Sequence, residues 1–137
     1  MLKSVTHAGV AVHDQDAAIA FYTEKLGFEL RNDVTIADGA LRWVTVGPPS
    51  QPDVEIILLP PGGPGTPEET RSQALEIVAQ GLLPGLIFRV DDCRATYDEL
   101  KSRGVEMAQE PIEQPYGIDA AFRDPSGNHI RFTQPLA

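Results

Sequence analysis

Hydrophobic positions along the chain change period several times, and each change marks an element. Residues 3–12, KSVTHAGVAV, are rich in β-branched and small apolar types and predict a buried strand containing His7. Polar residues 13–16, HDQD, then offer an N-cap. Ala18, Phe21, Tyr22 and Leu26 follow at helical spacing, and Gly27 stands where a left-handed residue ends a helix. Three strands come next, at 28–34, 41–46 and 53–59, with Asp38-Gly39 as a hairpin turn between the first two. Seven of the chain's twelve prolines lie between Pro48 and Pro67, so the main boundary falls there. A helix is predicted after it, with Thr66 as N-cap, Pro67 in its first turn and Glu69 completing a capping box, running to about Gln80 before Gly81.

The pattern then repeats. GLIFRV (85–90) predicts a strand, Asp91-Asp92 a cap, and Cys93, Tyr97 and Leu100 a helix that stops at Gly104. Strands at 105–109, 117–124 and 129–134 complete the order. Val12, Asp14 and Ala17 align with Val90, Asp92 and Ala95, and a one-residue gap in the helix brings Gly27 and Glu29 onto Gly104 and Glu106. A repeat of this size means that neither half buries its sheet alone. The expected fold class is α+β: two tandem βαβββ modules, module one at 3–59 and module two at 84–134, joined by a connecting segment with a helix at 60–83. Packed side by side, their open faces would form a curved mixed sheet around a cavity.

Composition narrows the function classes. The 137 residues suit one compact domain, and the 42% apolar content supplies a core without any run long enough to cross a membrane. The opening Met1-Leu2-Lys3-Ser4 lacks the apolar run of a secretory signal. A net charge of −9 argues against nucleic acid and anionic lipid as partners. A single cysteine, Cys93, excludes an intrachain disulfide and fits a reducing, cytoplasmic setting. There is no phosphate-binding glycine loop and no nucleophile elbow.

The order of elements, His7 on the first strand, Phe21-Tyr22 and Leu26-Gly27-Phe28 around the first helix end, and the turn Asp124-Pro125-Ser126-Gly127-Asn128 before the last strand together resemble the vicinal oxygen chelate superfamily, the glyoxalase/bleomycin-resistance/dioxygenase group. The resemblance covers nearly the whole chain apart from the connecting helix. It implies paired βαβββ modules, homodimers, and activities that range from glyoxalase-type isomerisation and extradiol ring cleavage to metal-free drug sequestration. Metal-dependent members place up to four ligands on the first and last strands of each module, where open coordination positions chelate neighbouring substrate oxygens.

Carried onto this chain, those positions are His7, Gly85, Arg131 and either Ile57 or Ile56. Glycine has no side chain to ligate with, and a guanidinium stays charged. Glu55 shares the Ile57 face and becomes a second ligand only with a register slip. The expectation is therefore no metal or other cofactor, with a divalent Ni, Zn, Mn or Fe ion held through His7 and Glu55 as the alternative. His7 then remains as a polar cavity group or a weak candidate for a general base. Alternation puts His129 and Arg131 on one face of the last strand and Ile130 and Phe132 on the other. A buried Arg131 needs a carboxylate, either Glu55 in a structural pair or an acidic or dioxygenated ligand; otherwise its side chain reaches solvent at the sheet end. Trp43, Tyr116 and Phe88 are candidate aromatics for the cavity wall. The partner expected is a small organic molecule, anionic on the clamp reading of Arg131. The function expected is small-molecule binding, with a metal-dependent lyase or isomerase, or an extradiol-type dioxygenase, as the alternative.

Overall fold

A computed structural model describes residues 1–136. The chain divides into two compact units, Met1–Glu76 and one beginning at Ile77. Each holds one four-stranded mixed sheet and one helix packed on it.

In the first unit the order is β1 (His7–Ala11), α1 (Gln15–Ala20), β2 (Glu29–Ile36), β3 (Leu41–Gly47) and β4 (Glu55–Leu59). The sheet order is β1-β4-β3-β2, with β1 and β4 parallel and the other neighbours antiparallel. The predicted strand at 3–12 is shorter than expected: it begins at His7, and residues 3–6 are exposed. One sheet face packs on the helix and holds Val10, Val12, Val44, Val46, Ile56 and Leu58, all buried with Ala18 and Tyr22.

The second unit repeats this plan with β5 (Ile87–Arg89), α3 (Cys93–Ser102), β6 (Glu106–Gln114), β7 (Gly117–Arg123) and β8 (His129–Pro135), in the order β5-β8-β7-β6. Its core is Cys93, Leu100, Val105, Ala120, Phe122, Ile130 and Phe132. The predicted short strand at 105–109 is too short. β6 runs on through Pro111 because it is an edge strand with register shifts between Met107 and Ile112, where a missing N–H breaks no ladder bond.

The two helix starts are the same device. Asp14 accepts from the Ala17 N–H at 3.1 Å and Asp92 from the Ala95 N–H at 3.0 Å, both from extended backbone. The ends also match, with Gly27 at φ 75° and Gly104 at φ 84°. The one-residue gap between the repeats has a physical cause. α1 continues through Phe21–Lys25 as a wider turn in which the Leu26 N–H reaches the Phe21 carbonyl five residues back, at 3.2 Å. One inserted residue is absorbed by such a π-type turn, and α3 contains none.

The connecting helix, α2, spans Glu68–Ala79. Its expected capping box is not formed: the Thr66 hydroxyl donates backward to the Gly63 carbonyl at 2.7 Å. Its last turn instead anchors the Asp124–Asn128 turn. A Cβ on Gly127 would lie 2.5 Å from the Ala79 carbonyl oxygen, and Gly127 adopts φ +95°. Within that turn the Asp124 carboxylate accepts from the Ser126 and Asn128 N–H groups, each at 2.9 Å, and from the Asn128 amide at 2.9 Å. This local closure is what starts β8 in a fixed register.

Candidate functional site

Each sheet has one face turned away from its helix, and the predicted polar residues gather there. In the first unit, parallel pairing sets His7 directly opposite Glu55. Antiparallel pairing adds Thr45, opposite Ile57, together with Asn32 opposite Thr45 and Val34 opposite Trp43. Side chains paired this way share a face. Glu55 Oε1 accepts from the Thr45 hydroxyl at 2.6 Å and from the Asn32 amide at 2.8 Å, while Asn32 also donates to Thr45 Oγ1 at 3.0 Å. Glu55 Oε2 lies 3.7 Å from His7 Nε2, and Thr6 Oγ1 lies 2.8 Å from His7 Nδ1. The Trp43 ring is 6.0 Å from the imidazole, tilted by 55°. The Thr45 hydroxyl holds the Glu55 carboxyl below its ordinary range, burial opposes this, and Asn32, His7 and Arg31 assist.

Glu55 is aimed by the loop before it. A bulge in β2 turns Arg31 toward residues 48–54, and its guanidinium donates to the carbonyls of Val54 at 2.7 Å, Pro48 at 2.8 Å and Gln51 at 3.0 Å. Gly47 leaves the room for this, since a Cβ there would fall 2.6 Å from the Arg31 guanidinium carbon.

In the second unit the corresponding face carries Arg131, opposite Ala121 on β7 and Ile87 on β5, and Asp119, opposite Thr133. Asp119 is only 1% exposed. Its carboxylate accepts from Arg131 Nη2, from the Tyr116 hydroxyl at 2.6 Å and from the Gln109 amide at 3.0 Å, and Arg131 Nη2 also donates to the Tyr116 oxygen at 2.9 Å. Burial pushes the Asp119 carboxyl up, but these three donors outweigh it and leave it below the usual range. The hydrogen bond to Asp119 raises Arg131 further, and the same carboxylate raises the Tyr116 hydroxyl. His129, opposite Arg123, is pushed down by burial and by the charges of Arg123 and Arg131.

Several sequence expectations are thereby corrected or located. The carboxylate that meets Arg131 is Asp119, not Glu55, because β7 lies beside β8. Phe88 does not share a face with Arg131: Ile87 pairs with Arg131, so alternation turns Phe88 to the helix side opposite Phe132. His129, Tyr116 and Arg131 belong to the second unit's face, and His7, Glu55 and Trp43 to the first. Glu55 needs no register slip to reach His7.

Equivalent positions follow from one bond in each unit. The Val12 N–H meets the Leu59 carbonyl and the Val90 N–H meets the Thr133 carbonyl, each at 2.9 Å. Counting back along both strands sets His7 and Glu55 against Gly85 and His129, and Ile57 against Arg131. The side chains available on these faces do not fit the metal site that the resemblance describes. His7 and Glu55 adjoin, but among the described residues no group of three His, Cys, Asp or Glu could hold an ion.

Asp119, Gln109, Asn32 and Thr45 escaped sequence reasoning. Asp119 did leave a signal, as an acid in the middle of GIDAAFR on the same alternation as Arg123. Asn32 and Thr45 left none, because short polar residues in strands are common on any solvated face.

Among known proteins, the model of the Glyoxalase/Bleomycin resistance protein/Dioxygenase superfamily matches residues 4–132. The solved structure of UcmS2 is 45% identical, with a TM-score of 0.89 over 97% of this chain and 98% of that one. TnmS3, an antibiotic binding protein from Streptomyces sp. CB03234, is 33% identical, with a TM-score of 0.76 over 98% of both chains. The uncharacterized protein YurT of Bacillus subtilis (strain 168) is 38% identical over 126 residues, 91% of this chain and 94% of YurT. A matching βαβββ plan in both units and a family match from the first strand to the last lead to one conclusion: the chain belongs to the glyoxalase/bleomycin resistance protein/dioxygenase superfamily.

Proposed function

We propose that this protein binds a small organic molecule without a metal, on the helix-free faces of its sheets, and serves to sequester it. The observation that carries the reading is the state of Arg131. At a position where metal-dependent members of the superfamily place a carboxylate ligand, this chain has a guanidinium held by a buried aspartate and a tyrosine hydroxyl. A fixed cation there opposes a bound cation and offers hydrogen-bond donors to a ligand. On the first unit's face Trp43 supplies aromatic surface beside His7, and on the second unit's face the half-exposed Tyr116 ring does so beside Arg131. The antibiotic-binding description of TnmS3 supports sequestration as the role.

The test is metal analysis of protein purified without chelator, followed by thermal-shift titration with an antibiotic panel. The expected result is no stoichiometric metal and at least one compound that raises Tm in a concentration-dependent way. Stoichiometric Ni, Zn, Mn or Fe that disappears in His7→Ala overturns the proposal.

One observation favours a second reading, a divalent-metal-dependent lyase or isomerase, or an extradiol-type dioxygenase. His7 Nε2 and Glu55 Oε2 stand 3.7 Å apart, two ligand types side by side on one face. On that reading Glu55→Ala also loses the metal, and a clean absence of metal with no activity on adding Ni, Zn, Mn or Fe rejects it.

The same proposal takes the protein as a cytoplasmic homodimer. No helix among the described residues is long and apolar enough to cross a membrane. Edge strand β2 leaves Leu30, Val34 and Ile36 exposed, a surface that association would cover. Light scattering that gives a monomer at micromolar concentration rejects the dimer.

A further inference from the structure

Arg131 is a cation whose charge is already answered but whose donors are not used up. Nη2 serves both Asp119 and Tyr116. Nε and Nη1 make no hydrogen bond among the described residues, and the side chain is 37% exposed. Asp119 beneath it is buried and held in place by three donors. The neighbouring cations differ in how far they reach this point. Arg123 donates to the Gly127 carbonyl at 3.0 Å and lies over Gly81. Arg89 shares the Arg131 face by alternation but is exposed on edge strand β5, where water screens its charge, and burial together with Arg123 and Arg131 lowers the His129 pKa.

We propose that this face selects ligands that present an uncharged oxygen acceptor, a carbonyl or amide oxygen, over the matching carboxylates, with Asp119 as the specificity-determining residue. The inference rests on the small-molecule-binding reading above and narrows its ligand class.

The physical reason is a near-cancellation. A carboxylate brought to the free Nε–H or to Nη1 gains the attraction of the guanidinium and meets the repulsion of Asp119 just behind it. What remains is the loss of its hydration, which is larger for an ion than for a neutral group. A carbonyl oxygen accepts from the same single donor and gives up far less water. The net charge of −9 disfavours anions at longer range as well.

The test uses 2-naphthamide and 2-naphthoate, a pair matched in ring and shape in which a neutral carbonyl oxygen with an adjoining NH2 replaces the charged carboxylate. Each is titrated into the nitrogen-15-labelled full chain at pH 7, with the Arg131 Nε–H signal as the local readout. The amide is expected to bind roughly tenfold tighter, the factor that about 1.4 kcal/mol of extra dehydration cost for the ion produces. Asp119→Asn keeps an acceptor oxygen but drops the charge, and is expected to close or reverse the ratio. Circular dichroism checks that the variant folds, and the wild-type ratio decides the question if it does not. Equal or tighter binding of naphthoate to the wild type overturns the inference and leaves small-molecule binding standing. If neither probe moves the Arg131 signal while the antibiotic panel binds, the inference alone fails. If the panel is silent too, both fail.

Discussion

Replacing Arg131 with methionine tests the energetic core of the second face. The substitution keeps an unbranched apolar stem and removes the charge that answers Asp119. Breaking a buried ion pair by deleting one partner costs about 3–5 kcal/mol when both groups are buried. Here Asp119 is 1% exposed but Arg131 is 37% exposed, so water screens the guanidinium side. Asp119 also keeps the Tyr116 and Gln109 donors. A cost of about 2 kcal/mol remains. The pH dependence has a definite sign. In the wild type the Asp119 pKa is depressed on folding, so its contribution is present above the unfolded value of about 3.9 and is lost as pH falls through the folded one. In Arg131→Met the same carboxyl loses its cation, and its folded pKa rises. The difference between the two proteins is therefore largest near neutral pH and shrinks toward pH 4. Urea denaturation followed by circular dichroism at both pH values measures it. A loss below about 0.5 kcal/mol at pH 7, or one that does not change with pH, refutes the argument that Arg131 compensates a buried charge.

Three further outcomes are expected. Gly127→Ala places a Cβ against the Ala79 backbone at φ +95° and should destabilise by about 2–3 kcal/mol, measured by urea denaturation; a neutral result contradicts the close packing of that turn on α2. Asp124→Ala removes the acceptor of two backbone N–H groups and the Asn128 amide and should cost about 2–3 kcal/mol, with Asp124→Asn recovering part of it. Cys93 is fully buried, and burial together with nearby Asp119 raises its thiol pKa, so native protein should resist iodoacetamide at pH 8 and react once unfolded; rapid native labelling contradicts that burial.

Much of the molecule was readable before any coordinates, and the readable parts are local. Asp14 and Asp92 cap their helices as their spacing predicts, and Gly27 and Gly104 end them with the positive φ that glycine tolerates. The turn at Asp124–Asn128 closes on its own side chains. Where local signals misled, a competing partner or an edge position had intervened. Thr66 looked like a cap, yet its hydroxyl found the Gly63 carbonyl. The strand predicted at 105–109 ran on past Pro111, because an edge position tolerated the proline.

The site divides along the same line. Alternation alone put His129 and Arg131 on one face, because successive strand residues must point in opposite directions. The gap in the repeat was visible as a gap, though its form as a widened helical turn was not. By itself, then, the sequence determined the repeat, the element order, the helix boundaries and the absence of ligand-type side chains at Gly85, Ile57 and Arg131. Only the tertiary structure decided which carboxylate meets which cation. Pairing β1 with β4 brought Glu55 to His7, pairing β7 with β8 gave Arg131 to Asp119, and the register of β5 turned Phe88 away from both. Capping and alternation depend on residues a few positions apart. Strand register depends on how whole faces bury their apolar side chains, and that balance is struck between segments tens of residues apart.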